Sequence, residues 1–155
     1  MSGSDETTNQ RRTEQGFTLI EVLIVTTIIG ILVSIVLVSL LNAFERSKQR
    51  ATMADMRTIS KAIETYSTDT GHYPASGQTM TQLANLLVPY QTSVLPVQDA
   101  WRHDYSYTAD NSGNYSLESY GKDGVDGPEI NYANRFNFDL DIIVSDGTFT
   151  ASPEP

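Results

Sequence analysis

QGFTLIEVLIV, residues 15–25, places one acid, Glu21, just inside the longest apolar run of the chain. From Val22 to Phe44 the sequence VLIVTTIIGILVSIVLVSLLNAF carries no charged residue. A helix of that length rises roughly 34 Å, enough to cross a hydrocarbon core of about 30 Å. Its Thr, Ser and Gly content suits close packing of helices in lipid. The helical signal then continues into polar sequence. Met56, Ile59, Ile63 and Tyr66, with Ala62 beside them, recur at three- and four-residue spacing and form one stripe. No proline interrupts before Pro74, and Gly71 is placed to cap the end. The spacing therefore predicts one helix over about 17–70, apolar all round in its first half and amphipathic in its second.

The remainder reads as a small head. TMTQLANLLV (79–88) predicts a short helix with Leu83, Leu86 and Leu87 on one side, and residues 88–101 are irregular around Pro89 and Pro96. DYSYT (104–108) and YSLESY (115–120) alternate as strands about the turn ADNSGN, and DIIVS followed by DG and TFT predicts a second strand pair. GKDGVDGPEINYANRFNF is a Gly-, Asp- and Asn-rich loop. The fold class is α+β: one long N-terminal helix packed on a small antiparallel sheet. Residues 1–16 are polar beyond Met1 and lack the means to build a core.

Bulk chemistry removes several function classes. A net charge of -9 supplies no basic face for phosphates, so no nucleic-acid partner is expected. The absence of cysteine excludes disulfides, thiolate zinc sites and thiol catalysis. The two histidines, His72 and His103, lie in no zinc-protease pattern, and neither a nucleophile elbow nor a phosphate-binding glycine loop occurs. Trp101, Tyr105 and Tyr107 offer sugar-stacking faces, but aromatic residues in so small a domain more often belong to its core. Asn114-Tyr115-Ser116 matches a glycosylation sequon at the rate of chance. The chain reads as a non-enzyme.

A cleaved secretory signal does not account for the N-terminus, because the apolar run is too long and the small residue, Gly16, precedes it. A plain signal anchor accounts for the length but leaves Glu21 without a reason. Basic residues flank both ends (Arg11 and Arg12 before; Arg46, Lys48 and Arg50 after), so charge does not decide orientation. The run G-F-T-L-I-E resembles the leader of the type IV pilin and type II secretion pseudopilin superfamily. That resemblance implies cleavage between Gly16 and Phe17 by a prepilin peptidase, N-methylation of Phe17, and an assembly role for Glu21. It implies a leader over 1–16, a transmembrane segment and later filament core over 17–44, and a periplasmic or extracellular head over 45–155.

The head extends the resemblance to the major, G-type pseudopilin. His72-Tyr73-Pro74, Asp99-Ala100-Trp101-Arg102-His103-Asp104-Tyr105, Ser119-Tyr120-Gly121-Lys122-Asp123-Gly124 and Asp141-Ile142 resemble its R-Y-P, D-P-W-G-x-x-Y, S-L-G-x-D-G and D-D-I patterns. Four places depart. Val38 stands where the family often has proline, Ala100 and Arg102 stand where Pro and Gly are usual, Asp139-Leu140-Asp141-Ile142-Ile143 replaces D-D-I, and the 125–140 loop is longer. What the resemblance implies is a structural subunit of a secretion pseudopilus that polymerises into a helical homo-oligomer driving protein export. Its implied partners are minor pseudopilins, an inner-membrane assembly platform, an assembly ATPase acting through it and an outer-membrane secretin. It would sit single-pass in a bacterial inner membrane, head in the periplasm, before joining the fibre. A type IV pilus subunit is the alternative, and a membrane-anchored binding domain that never polymerises is a third.

In the G-type pseudopilin a loop like 119–141 holds calcium. Calcium needs six to eight hard oxygens at 2.3–2.6 Å. The motif points to Asp123 and Asp141, then Asp139, with Asp126 and Ser119 as further donors. The spacing is not that of an EF-hand. Without the motif, Asp and Gly here would read as ordinary turn residues.

Overall fold

The computed structural model describes residues 16–88, 91–110 and 112–154. Of the leader expected over 1–16, only Gly16 lies among them. The chain folds as two units, Met1–Leu40 and Leu41–Pro155, and helix α1 (Leu19–Thr70) contributes to both.

In the first unit α1 begins one residue after Thr18, whose Oγ1 accepts from Glu21 N at 3.3 Å and so caps the opening turn. Every residue of 16–40 is exposed in the isolated chain, as a segment meant for lipid or for neighbouring helices would be. Its hydroxyls turn back on their own helix. Thr26 Oγ1 donates to Val22 O at 3.0 Å, Thr27 Oγ1 to Leu23 O at 2.7 Å and Ser34 Oγ to Ile31 O at 2.7 Å. These three hydroxyls therefore need no water.

In the second unit the stripe of α1 is buried as its spacing predicts. Met53, Met56, Ile59, Ala62 and Ile63 lie in the core, with Tyr66 half-buried beside them. Gly71 closes the helix at φ 80°, a conformation that suits glycine. Helix α2 (Met80–Leu87) starts at a capping box: Thr79 accepts from Gln82 N and the Gln82 side chain accepts from Thr79 N. It buries Met80, Leu83 and Leu87. Leu86, expected on the same side, is 36% exposed, because the eight-residue helix has room to bury only the Leu83–Leu87 line.

The sheet is a four-stranded antiparallel meander, β1 (Ser106–Ala109), β2 (Tyr115–Ser119), β3 (Ile142–Ser145) and β4 (Thr148–Ala151), in sequential order. β1 starts two residues later than the alternation suggests; Asp104 instead forms an isolated bridge with Gln98. β2 alternates strictly, with Tyr115, Leu117 and Ser119 inward and Ser116 and Glu118 outward. Asp146 and Gly147, at φ 49° and 79°, make the expected two-residue turn between β3 and β4. Buried tyrosines fasten sheet to helix: Tyr115 Oη and Ser60 Oγ are 2.6 Å apart, and Tyr107 Oη donates to Pro74 O at 2.9 Å. Tyr105 and Tyr107 are only 4% and 5% exposed, so they present no face to a sugar.

Candidate cation site and the loops that frame it

Asp141 ends the long loop and precedes β3. Its backbone is pinned on both sides, donating to Pro128 O at 3.2 Å and accepting from Ile130 N at 2.9 Å. This short parallel bridge fixes the side chain under the loop, where it is fully buried. Oδ2 accepts from Gly127 N at 2.7 Å, but Oδ1 has no partner. An unpartnered buried carboxylate oxygen is expensive, so native structures normally supply it with a donor, a water or an ion. Two more carboxylates converge on the same place. Oxygens of Glu118, Asp126 and Asp141 lie within 4.8 Å of one another. Two ligands of one calcium ion, each at about 2.4 Å, can be no farther apart than about that.

The electrostatics are those of crowded carboxylates. Burial pushes the Asp141 carboxyl up, helped by Asp126, Asp123 and Glu129 and opposed by the Gly127 N–H. Glu118 is likewise raised, by burial first and then by Asp141, Asp126 and Glu129. Like charges gathered in a half-dry site favour protonation, and a divalent ion reverses that preference.

The sequence-selected donors divide. Asp126 and Asp141 meet. Asp123 stands beside them as a nearby charge, with Oδ1 accepting from Val125 N at 3.1 Å. Asp139 is exposed and outside the cluster. Ser119 is employed elsewhere, donating from Oγ to Asp99 Oδ2 at 2.8 Å. Glu118, which the sequence reading did not select, supplies the third carboxylate. Its signal was the alternation of YSLES, which turns Glu118 to the outer face of β2, opposite Ile143 of β3 and next to the start of that strand.

Beside the cluster, the tryptophan motif forms a polar knot. Asp99 is 5% exposed; its Oδ1 accepts from Trp101 N and His103 N, both at 2.9 Å, and its own N–H donates to His103 O at 2.8 Å. The Trp101 indole N–H donates to Glu45 Oε2 at 2.7 Å, and Lys122 Nζ lies 3.6 Å from Glu45 Oε1. The Trp101 hydrogen bond, then Lys122 and Lys48, hold the Glu45 carboxyl below its usual range against a burial cost. His103 Nδ1 pairs with Gly121 O at 2.9 Å. The knot thus ties α1, the 99–105 loop and the start of the acidic loop into one frame. Its two tight glycines explain the S-x-G-x-D-G pattern. At Gly121, φ 62°, a Cβ would lie 2.7 Å from Phe138 O, and at Gly124, φ 67°, one would lie 2.9 Å from the His103 ring.

The family model for type II secretion system protein G matches residues 39–135, and the prokaryotic N-terminal methylation motif matches residues 11–37. The chain belongs to the type II secretion system protein G family. It is a major pseudopilin. Among curated relatives, core protein G of Pseudomonas aeruginosa is 32% identical over 84% of this chain and 99% of its own length. The same protein of Escherichia coli K12 is 32% identical over 78% and 90%, and that of Vibrio cholerae 30% identical over 83% and 94%. No solved structure matches the chain. The protein G match runs deep into the head, where a secretion subunit and a pilus subunit differ. The type IV pilus alternative, which shares only the N-terminal signal, is therefore not favoured. As a structural pseudopilin the chain belongs with a membrane-anchored, periplasmic fibre, and its apolar helix is long enough to anchor it.

Proposed function

We propose that this pseudopilin is made with residues 1–16 as a leader and is cut by a prepilin peptidase between Gly16 and Phe17, with methylation of the new Phe17 amine. Residues 17–44 first hold it in the inner membrane with the head, 45–155, in the periplasm. They then become the core of a helical homo-oligomer. The observation that carries the reading is the part of α1 before Glu45, exposed throughout and uncharged but for a single acid, Glu21, in its first turn. A carboxylate there is costly alone in an apolar core and much less so beside a cation. The Phe17 amine of a neighbouring subunit supplies that cation, so the pair sets register between protomers as the fibre grows. Minor pseudopilins, the assembly platform with its ATPase, and the outer-membrane secretin complete the proposed set of partners. Replacing Gly16 by a bulky residue tests the reading: processing and fibres should both be lost. Normal fibres from that variant would contradict it.

We also propose that calcium occupies the Glu118–Asp126–Asp141 cluster. The orphaned Asp141 Oδ1 supports this, and loop carbonyls and waters would complete the six to eight oxygens. Its role is structural: one ion would neutralise three carboxylates and fix the long loop against β2 and the start of β3. Asp123 is close enough to add charge. Asp139 and Ser119 are left out of the proposed ligand set.

A further inference from the structure

The long loop does something besides carry acids. Its 3-10 turn, Tyr132–Asn134, and the residues after it fold over the first turns of α1 past Phe44. There Arg46, Arg50, Tyr132, Arg135, Phe136 and Glu154 line a cleft of about 280 Å³. The Arg46 guanidinium stacks 4.4 Å from the Phe136 ring centroid, and Arg135 stacks 4.3 Å from Tyr132 and 4.5 Å from Phe136. Arg135 also donates to Tyr132 O at 2.8 Å, and Arg50 Nε lies 3.6 Å from Glu154 Oε1. Among the described residues three guanidiniums face one carboxylate and leave the cleft positive, in a chain whose net charge is -9. Tyr132 and Phe136 nevertheless remain 58% and 52% exposed.

We infer that this cleft docks on the anionic phospholipid headgroups of the bilayer in which the subunit's own apolar segment is anchored. Three observations select that occupant. Arg46 follows the last residue of the uncharged run by two positions, about 3 Å of helix rise, so it lies at headgroup depth when the run spans. Arginines held by aromatic stacking present planar forks that suit phosphate oxygens. Exposed aromatic rings beside them match the preference of such side chains for the membrane interface. The rest of the head is acidic and repelled by the same surface. The cleft would therefore fix the orientation of the stored subunit, and extraction into the fibre must break the contact. The inference rests on the membrane-anchored reading of residues 17–44.

The chain has no cysteine, so a single Ala133→Cys carries a fluorophore on the 3-10 turn without competition. The full chain is inserted in nanodiscs of phosphatidylcholine alone or with phosphatidylglycerol, each containing headgroup spin-labelled lipid as quencher. Quenching should be about three-fold greater in the anionic bilayer, since each basic group near such a surface adds roughly a five-fold preference and the stacking rings limit reach. It should fall to the neutral-bilayer level at high salt and in the Arg46→Gln/Arg135→Gln variant. Inorganic phosphate at matched ionic strength should leave it in place. Equal quenching of the unsubstituted cleft in the two bilayers would overturn the inference, as would displacement by inorganic phosphate, which would make the ligand a free anion. A chain that fails to insert at all would contradict the anchor reading instead.

Discussion

At the residue scale, three side chains concentrate the account. Glu21 is the one charge in the proposed filament core, and Glu21→Val should leave membrane insertion intact while cutting fibre yield at least ten-fold in a shearing assay. Undiminished fibres would remove the proposed pairing with the Phe17 amine. Asp141 is the test of the metal. Both it and Glu118 are raised by burial and by neighbouring carboxylates. The folded, calcium-free chain thus holds these protons more tightly than the unfolded chain. Its stability should fall as pH rises from the unfolded values near 3.8 and 4.5 through the raised folded ones, and saturating calcium should reverse that slope. At neutral pH, chelation should lower the melting temperature by about 5–10 °C. Asp141→Asn should melt the same with or without calcium; a persistent calcium response in that variant would place the ion elsewhere. Arg102 holds φ 74°, a left-handed conformation costly to any residue with a Cβ. Arg102→Gly should therefore stabilise the chain by up to about 1 kcal/mol in denaturant unfolding. The sequence already marked Arg102 as standing where its relatives favour glycine, but only the backbone angle says why.

At the scale of elements, the long helix was legible because two independent signals agreed over its length, an uncharged run and then a three-and-four stripe. The β3–β4 hairpin was legible from Asp146-Gly147, a pair that accepts positive φ. The acidic loop was legible only in part. Motif spacing pointed to Asp141, held by its bridge to Glu129, and to Asp123, which stands beside the carboxylate cluster; Asp126, named only as a further donor, is in it. It grouped Ser119 with the acids, although the alternation of YSLES turns that residue inward, where its hydroxyl donates to Asp99. It passed over Glu118, because the contact that brings a strand residue to a loop twenty-three positions on is set by sheet pairing, not by local pattern. The same framework makes Gly121 a sensitive position. Its would-be Cβ falls 2.7 Å and 2.8 Å from the carbonyls of Phe138 and Leu140, and its φ is 62°. Gly121→Ala should destabilise the chain by about 2–3 kcal/mol and weaken calcium binding together with it. A neutral effect on both would show that the loop can be displaced freely from the start of β3.

At the scale of the whole molecule, opposite solvents divide the chain. Residues 45–154 bury a core in water, whereas 16–44 expose apolar side chains throughout and turn the hydroxyls of Thr26, Thr27 and Ser34 back on their own helix. A segment of that kind is stable only among lipids or among copies of itself, and the proposed function uses both in turn. Composition announced the segment; the proposed change of surroundings rests on a cut that would free an amine next to Glu21. The most direct test is mass spectrometry of the N-terminus of chain recovered from cells that carry the secretion machinery. A chain beginning at Phe17 with one added methyl group is predicted. A retained Met1, or a cut at any other bond, would contradict it.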